Sequence, residues 1–171
     1  IRSQHLAVSF QRKIAEGDLR DHRVLVLPAV HSLNSKTRGA IEEWTRSGGP
    51  LVLIPPSWLE DEYGRRTDDL AGIGVKVLSA RLPGGKIVPG RPDVEREGGF
   101  IMGPMDEEES SKAPPERIAI QEPGLARRAG TLECRGLRLD VEAPAAEILG
   151  RFAGGGPALL RLPLEKGKAY F

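Results

Sequence analysis

Apolar and polar residues alternate along this chain in two rhythms. In LAVSFQRKI, Leu6, Val8, Phe10 and Ile14 are the apolar members of a roughly alternating pattern, which predicts a strand. AEGDLRDH is a polar connector. RVLVLPAV, Arg23 to Val30, is nearly continuous in apolar residues. Such a run suits a strand covered on both faces, as in a parallel sheet. HSLNSKTRGAIEEWTRSGG then changes period. Thr37, Ala40, Ile41 and Trp44 share one helical face. Asn34 or Ser35 is placed to cap that helix, and Gly48 and Gly49 to end it. PLVLIPP gives the next short apolar strand. Strand, helix and strand here have the size of a βαβ unit, which closes right-handed with its strands parallel.

Further on, TDDLAGIG reads as a short helix with a glycine exit and VKVLSA as another strand, the signature of an open α/β sheet. From Pro83 to Pro115 glycine, proline and charge dominate. Within that stretch PMDEEESSKAPPE is acidic and proline-bearing, so an insertion over about 83–116 is expected to be a mobile loop. The closing part, over about 131–171, reads as β: TLECR, LRLDVEA, EILGRFA, PALLRLPL and KAYF, with AGGG and EKGK as hairpin turns. No internal repeat is visible, and residues 1–171 read as a single domain.

Composition narrows the function. The chain has 171 residues, 39% hydrophobic and 29% charged, enough for one globular core. A net charge of +1 with scattered arginines gives no footprint for nucleic acid or a membrane surface. No apolar run approaches the roughly 20 residues of a membrane span. The opening IRSQHLAVSF has neither an initiator methionine nor a signal-peptide pattern, as expected of a piece of a longer chain. Cys134 is the single cysteine, so no internal disulfide or CxxC site is possible. It lies in a predicted strand and reads as an inert thiol.

Candidate chemistry is sparse. There is no GxxxxGKS/T phosphate loop and no HExxH, and Gly154 to Gly156 lead into proline and a strand instead of a helix, so no cofactor or metal is expected. Of the three histidines, His31 follows a predicted strand and stands at its carboxyl end, where ligands bind in open α/β sheets. Ser57 follows the next strand, where a nucleophile elbow would sit. An elbow needs flanking glycines, and Pro55-Pro56-Ser57-Trp58-Leu59 has none. Glu60, Asp61 and Glu62 are consecutive acids. A glycosidase needs two carboxyls held roughly 5 to 9 Å apart across a sugar ring, and three acids on one loop do not supply that. Pairing of Asp61 or Glu62 with Arg65 or Arg66, or an interface contact, is the better reading.

GDLRDHRVLVLPAVHSLNSKTRGAIEEWTRSGGPLVLIPPSWLEDEYGRRTDDLAGIGVKV resembles the middle domain of family-42-type beta-galactosidases. The shared pattern is a GDL connector, a VLVLP strand, a helix ending in a double glycine, an LVL strand, a DE-x-G loop and L-x-G-I-G-V. AEILGRFAGGGPALLRLPLEKGKAYF resembles the end of that domain. The likeness covers about two thirds of the chain. It implies a class I glutamine-amidotransferase-like, flavodoxin-like fold: an open, mainly parallel sheet with flanking helices, here with a β-rich C-terminal extension. In that family the domain is a trimerisation domain, and cleavage occurs in a separate TIM barrel. The amidotransferase nucleophile position falls near Ser57, without its cysteine and glycines. Two departures stand out. The family opens with a strand and a long helix before the GDL connector, and the stretch from Pro83 to Glu116 has no counterpart.

The expected role is therefore a non-catalytic assembly domain of a carbohydrate-active enzyme. The expected partners are a TIM-barrel catalytic domain or a neighbouring subunit, in a homo-oligomer such as a trimer. The contact is expected from the His31 loop and from Leu51 to Arg66, with His31, Trp58, Asp61, Glu62, Tyr63, Arg65 and Arg66 as its residues. Two rivals stand beside this reading. One is a carbohydrate-binding module that holds a sugar with His31, Trp58, Tyr63 and Arg65. The other is a small amidotransferase-like hydrolase that uses Ser57 or Cys134 with His31.

Overall fold

The computed structural model describes residues 8–30, 32–55, 57–58, 61–63, 69–81, 87–88, 114–135 and 138–171. Its first half begins with helix α1 (Gln11–Ala15), a 3-10 turn (Asp18–Asp21) and strand β1 (Leu25–Pro28). Helix α2 (Ser35–Arg46), strand β2 (Pro50–Ile54), a second 3-10 turn (Asp69–Ile73) and strands β3 (Lys76–Arg81) and β4 (Ile87–Val88) follow. The second half holds β5 (Glu116–Ile120), α3 (Pro123–Ala129), β6 (Thr131–Cys134) and β7 (Arg138–Glu142). It closes with β8 (Glu147–Phe152), β9 (Pro157–Leu164) and β10 (Gly167–Tyr170).

The predicted βαβ unit is present. β1 and β2 pair in parallel, with Leu25 opposite Leu51 and Leu27 opposite Leu53. Helix α2 joins them. Asn34 caps it, its Oδ1 accepting the Thr37 N–H at 2.8 Å. Thr37, Ile41 and Thr45 form its buried stripe. Thr45 sits there without penalty because its hydroxyl donates to the Ile41 carbonyl one turn back, at 2.8 Å.

The expected mainly parallel sheet is corrected. The seven-stranded sheet runs β1-β2-β10-β9-β8-β5-β6 and is mixed. Only β1–β2 and β2–β10 are parallel; the other four pairings are antiparallel. The cause lies in the connections. AGGG and EKGK are too short for a crossover, and a tight turn returns a strand only antiparallel to its predecessor. The C-terminal strands are also no extension. β10 enters the sheet beside β2, with Ala169 opposite Leu51. Gly167 permits this: a Cβ there would lie 1.8 Å from the Thr45 carbonyl oxygen at the end of α2.

Three further expectations change. Residues 11–14 of the predicted first strand lie in helix α1 instead, and Val8 and Phe10 are 83% and 69% exposed. Of the apolar pattern there, Ile14 reaches the core, and it does so from α1. Strand β3 leaves the main sheet for a second, three-stranded one in the order β4-β3-β7, antiparallel throughout. Strand β5 and helix α3 were not predicted at all. Most of the predicted 83–116 insertion lies outside the described residues.

One core serves both sheets. Leu27, Leu51, Leu53, Leu160, Leu162 and Ala169 of the main sheet join Leu33 and Ile41, and Val75, Ala80 and Leu139 from the second sheet and its approach. Burying each such leucine contributes about 1.5–3 kcal/mol.

Candidate functional site

The carboxyl ends of β1 and β2 are the edge that sequence reasoning selected. Backbone there is tightly stitched. The Ala29 N–H donates to the Ile54 carbonyl at 3.1 Å, and the Trp58 N–H to the Val30 carbonyl at 2.8 Å. Ala29 and Trp58 both hold positive φ, 51° and 68°. For residues with a Cβ such backbone is strained, and the crossed hydrogen bonds hold it.

Ser57 is the knot of this stitching. It is 1% exposed. Its Oγ accepts the Val30 N–H at 3.0 Å, and its one hydroxyl hydrogen lies between the carbonyls of Leu27 at 2.7 Å and Ile54 at 2.6 Å. Every partner is backbone. A nucleophile needs a base to take its proton and an open approach, and this hydroxyl has neither among the described residues. Cys134 is on β6, at the opposite edge of the seven-stranded sheet from β1. It therefore has no path to the loop that follows β1.

The predicted contact residues part company. Trp58 is fully buried in the core, so the expectation of a surface aromatic is corrected. Trp58 holds a positive φ of 68°, and its indole lies inside the core. Its Nε1 has no hydrogen-bond partner. Asp61 is half-buried, and its Oδ1 accepts the Tyr63 N–H at 2.8 Å, an Asx turn that shapes the loop. Glu62 and Tyr63 are exposed, Tyr63 at 74%. His31, Arg65 and Arg66, with the predicted pairing of those arginines to Asp61 or Glu62, lie outside the described residues.

Among the described residues a dense charge cluster lies elsewhere, where the two sheets meet, and sequence reasoning missed it. Arg138 on β7 reaches Asp140 at 3.2 Å, Glu116 on β5 at 3.3 Å and the Gly155 carbonyl at 3.1 Å, and lies 4.3 Å over the Phe152 ring. Asp140 also accepts from Ser79 at 2.6 Å and Arg81 at 2.5 Å on β3. Burial pushes the Asp140 carboxyl up, but the Ser79 and Arg81 hydrogen bonds and the charges of Arg81 and Arg138 together hold it below the usual carboxylate range. This is a clamp between sheets, with the guanidinium committed on every side. A signal existed: Arg138 and Asp140 in LRLDV are two apart and so share a strand face. Among the described residues no group of His, Cys, Asp or Glu has metal-binding geometry.

No protein-family model and no curated protein sequence matches this chain. Solved structures do. A beta-galactosidase from Bacillus circulans sp. alkalophilus superposes with a TM-score of 0.65 at 19% identity, over 91% of this chain and 20% of that one. The beta-galactosidase of Rahnella sp. R3 gives 0.65 at 14% identity, over 91% and 20%. That of the haloarchaeon Halorubrum lacusprofundi gives 0.61 at 14%, over 91% and 20%. The chain spans about a fifth of the length of these neighbours. Its fold is thus one that occurs as a part of larger beta-galactosidase chains.

Proposed function

We propose that this chain is a non-catalytic assembly domain of a carbohydrate-active enzyme of the beta-galactosidase type. The observation that carries the reading is the shared fold, found as one fifth of enzymes that hydrolyse beta-galactosides. The state of Ser57 supports it. Where related α/β folds keep a nucleophile, this chain has a serine whose hydroxyl is bonded wholly to backbone.

In this reading glycoside chemistry belongs to a TIM-barrel domain, and this domain positions loops against that barrel or a neighbouring subunit. The parallel βαβ unit that ends at the β1 and β2 loops is the part that a flavodoxin-like, glutamine-amidotransferase-like ancestry would leave. The contact is made by the loop after β2. Tyr63 and Glu62 extend from it into solvent, and the Asx turn at Asp61 fixes their direction. His31, Arg65 and Arg66 belong to the same proposed contact. The rival sugar site loses its best platform, because Trp58 offers no exposed face for a pyranose.

Light scattering of the purified chain tests the assembly role. The expected result is a mass above the monomer's 18.5 kDa that rises with concentration toward a trimer. Tyr63→Asp lowers that mass without changing the melting temperature. A strict monomer at high concentration, unaffected by Tyr63→Asp, counts against self-assembly through this loop.

A further inference from the structure

The seven-stranded sheet ends at β6, and among the described residues nothing pairs with the outer edge of that strand. On its inner side β6 runs antiparallel to β5, with Leu132 opposite Ile118 and Thr131 opposite Ala119. Hydrogen bonds in such a pair join alternate residue pairs. The Ile120 N–H donates to the Gly130 carbonyl at 3.3 Å, which sets the phase. Leu132 and Cys134 therefore turn their backbone groups to β5, and Thr131 and Glu133 turn theirs outward. The edge carries no proline and no bulge, so those outward groups are open to a further strand. Four residues of backbone pairing hold weakly on their own. Side chains around the edge thus select the occupant.

Those side chains are apolar and basic. Leu132, and Leu125 of α3, are 42% and 40% exposed. Arg127 and Arg128 lie in the last turn of α3, just before the strand, and Arg135 directly follows it. All three are exposed, and none has an ion pair among the described residues. The acids nearby are accounted for. Glu116 pairs with Arg138, Glu122 caps α3 by accepting the Leu125 N–H, and Glu133 stands opposite Arg117.

We infer that the β6 edge takes an acidic, extended segment of a partner polypeptide as an eighth strand. The inference goes beyond the contact assigned to the loop after β2, which lies toward the opposite edge of the sheet, and does not rest on it. Charge complementarity selects the occupant. Carboxylates at the two ends of the incoming segment meet Arg127 and Arg128 on one side and Arg135 on the other, as charge-assisted hydrogen bonds. Backbone groups of its centre pair with Thr131 and Glu133. An apolar residue there lies beside Leu132. A second copy of this chain fits worse. Two β6 strands joined through the outward groups of Thr131 and Glu133 pair antiparallel about Leu132. That register sets Arg135 of one copy opposite Ala129 of the other, at the end of α3 that already carries Arg127 and Arg128. Like charges would meet at both ends of the pair.

The test uses the 171-residue chain and a short acetylated peptide of alternating valine and threonine with paired glutamates at both ends. Amide hydrogen exchange is followed residue by residue. In the free chain the N–H groups of Thr131 and Glu133 exchange fast and those of Leu132 and Cys134 slowly. Saturating peptide slows Thr131 and Glu133 at least tenfold and leaves Leu132 and Cys134 as they were. Arg128→Glu combined with Arg135→Glu weakens the peptide at least tenfold and melts like the parent. Glu133→Pro removes an outward N–H and no bond to β5, so it abolishes binding even though it also removes a negative charge. A peptide with lysines in place of the glutamates binds at least tenfold more weakly. Absence of new protection at Thr131 and Glu133 with millimolar peptide overturns the inference. So does equal binding by the lysine peptide, unchanged binding by Glu133→Pro, or protection that appears on β1 instead. Protection of Thr131 and Glu133 in a dimer of the free chain assigns the edge to a second copy and overturns it too.

Discussion

The hydroxyl of Ser57 lies 2.7 Å from the carbonyl oxygen of Leu27, thirty residues earlier on the neighbouring parallel strand. With the Val30 N–H at 3.0 Å it ties the end of β1 to the turn after β2. A serine just past the end of a parallel strand thus acts as a brace. Ser57→Ala removes the acceptor for the part-buried Val30 N–H and the hydroxyl's bonds to two carbonyls, so we expect a loss of about 1–3 kcal/mol. Urea unfolding followed by circular dichroism measures it. No enzymatic activity of a parent protein is expected to change beyond the fraction unfolded.

The βαβ unit was legible because its signals are local: a cap at Asn34, a stripe from Thr37 to Trp44 and a glycine stop. The C-terminal strands were legible from alternation and hairpin turns. Strand direction in the sheet was not, because β10 pairs with β2 across more than a hundred residues, and no local pattern encodes that choice. The lack of flanking glycines around Ser57 was legible in the sequence, whereas the burial of Trp58 was not. An aromatic after a strand end can pack inward or face solvent, and nothing local to the sequence told which; here it is fully buried.

Gly167 marks the closest approach of α2 to the sheet. Gly167→Ala would place a methyl 1.8 Å from the Thr45 carbonyl oxygen. Backbone cannot yield there without moving the helix or β10. The expected loss is about 3 kcal/mol, at the upper end for overpacking. Thermal melting checks it, and Gly154→Ala, with open space around it, serves as the contrast.

Asn34 is the sole side-chain cap seen on α2. Its amide also donates to Gln11 Oε1 at 3.0 Å, so it joins α1 to the start of α2. Asn34→Ala should cost about 1 kcal/mol, and Asn34→Asp less, since a carboxylate also accepts the Thr37 N–H. Denaturant midpoints with unchanged slope would bear this out.

Asp140 makes stability fall in acid. Its folded pKa lies below the unfolded value of about 3.9, so its contribution is complete above that value and is lost as pH drops through the lower, folded one. Asp140→Asn removes the charge facing Arg81 and Arg138 and should cost about 1–3 kcal/mol at neutral pH. As pH falls through the folded value the two proteins should converge. Melting temperatures of both from pH 7 to pH 2.5 give the comparison.

The central claim is that this fold carries no glycoside chemistry of its own. The most direct measurement is hydrolysis of para-nitrophenyl beta-D-galactopyranoside by the purified chain at high concentration. The account predicts a trace indistinguishable from buffer, for the parent and for Ser57→Ala alike. A saturable rate that scales with protein and disappears in Ser57→Ala would contradict it.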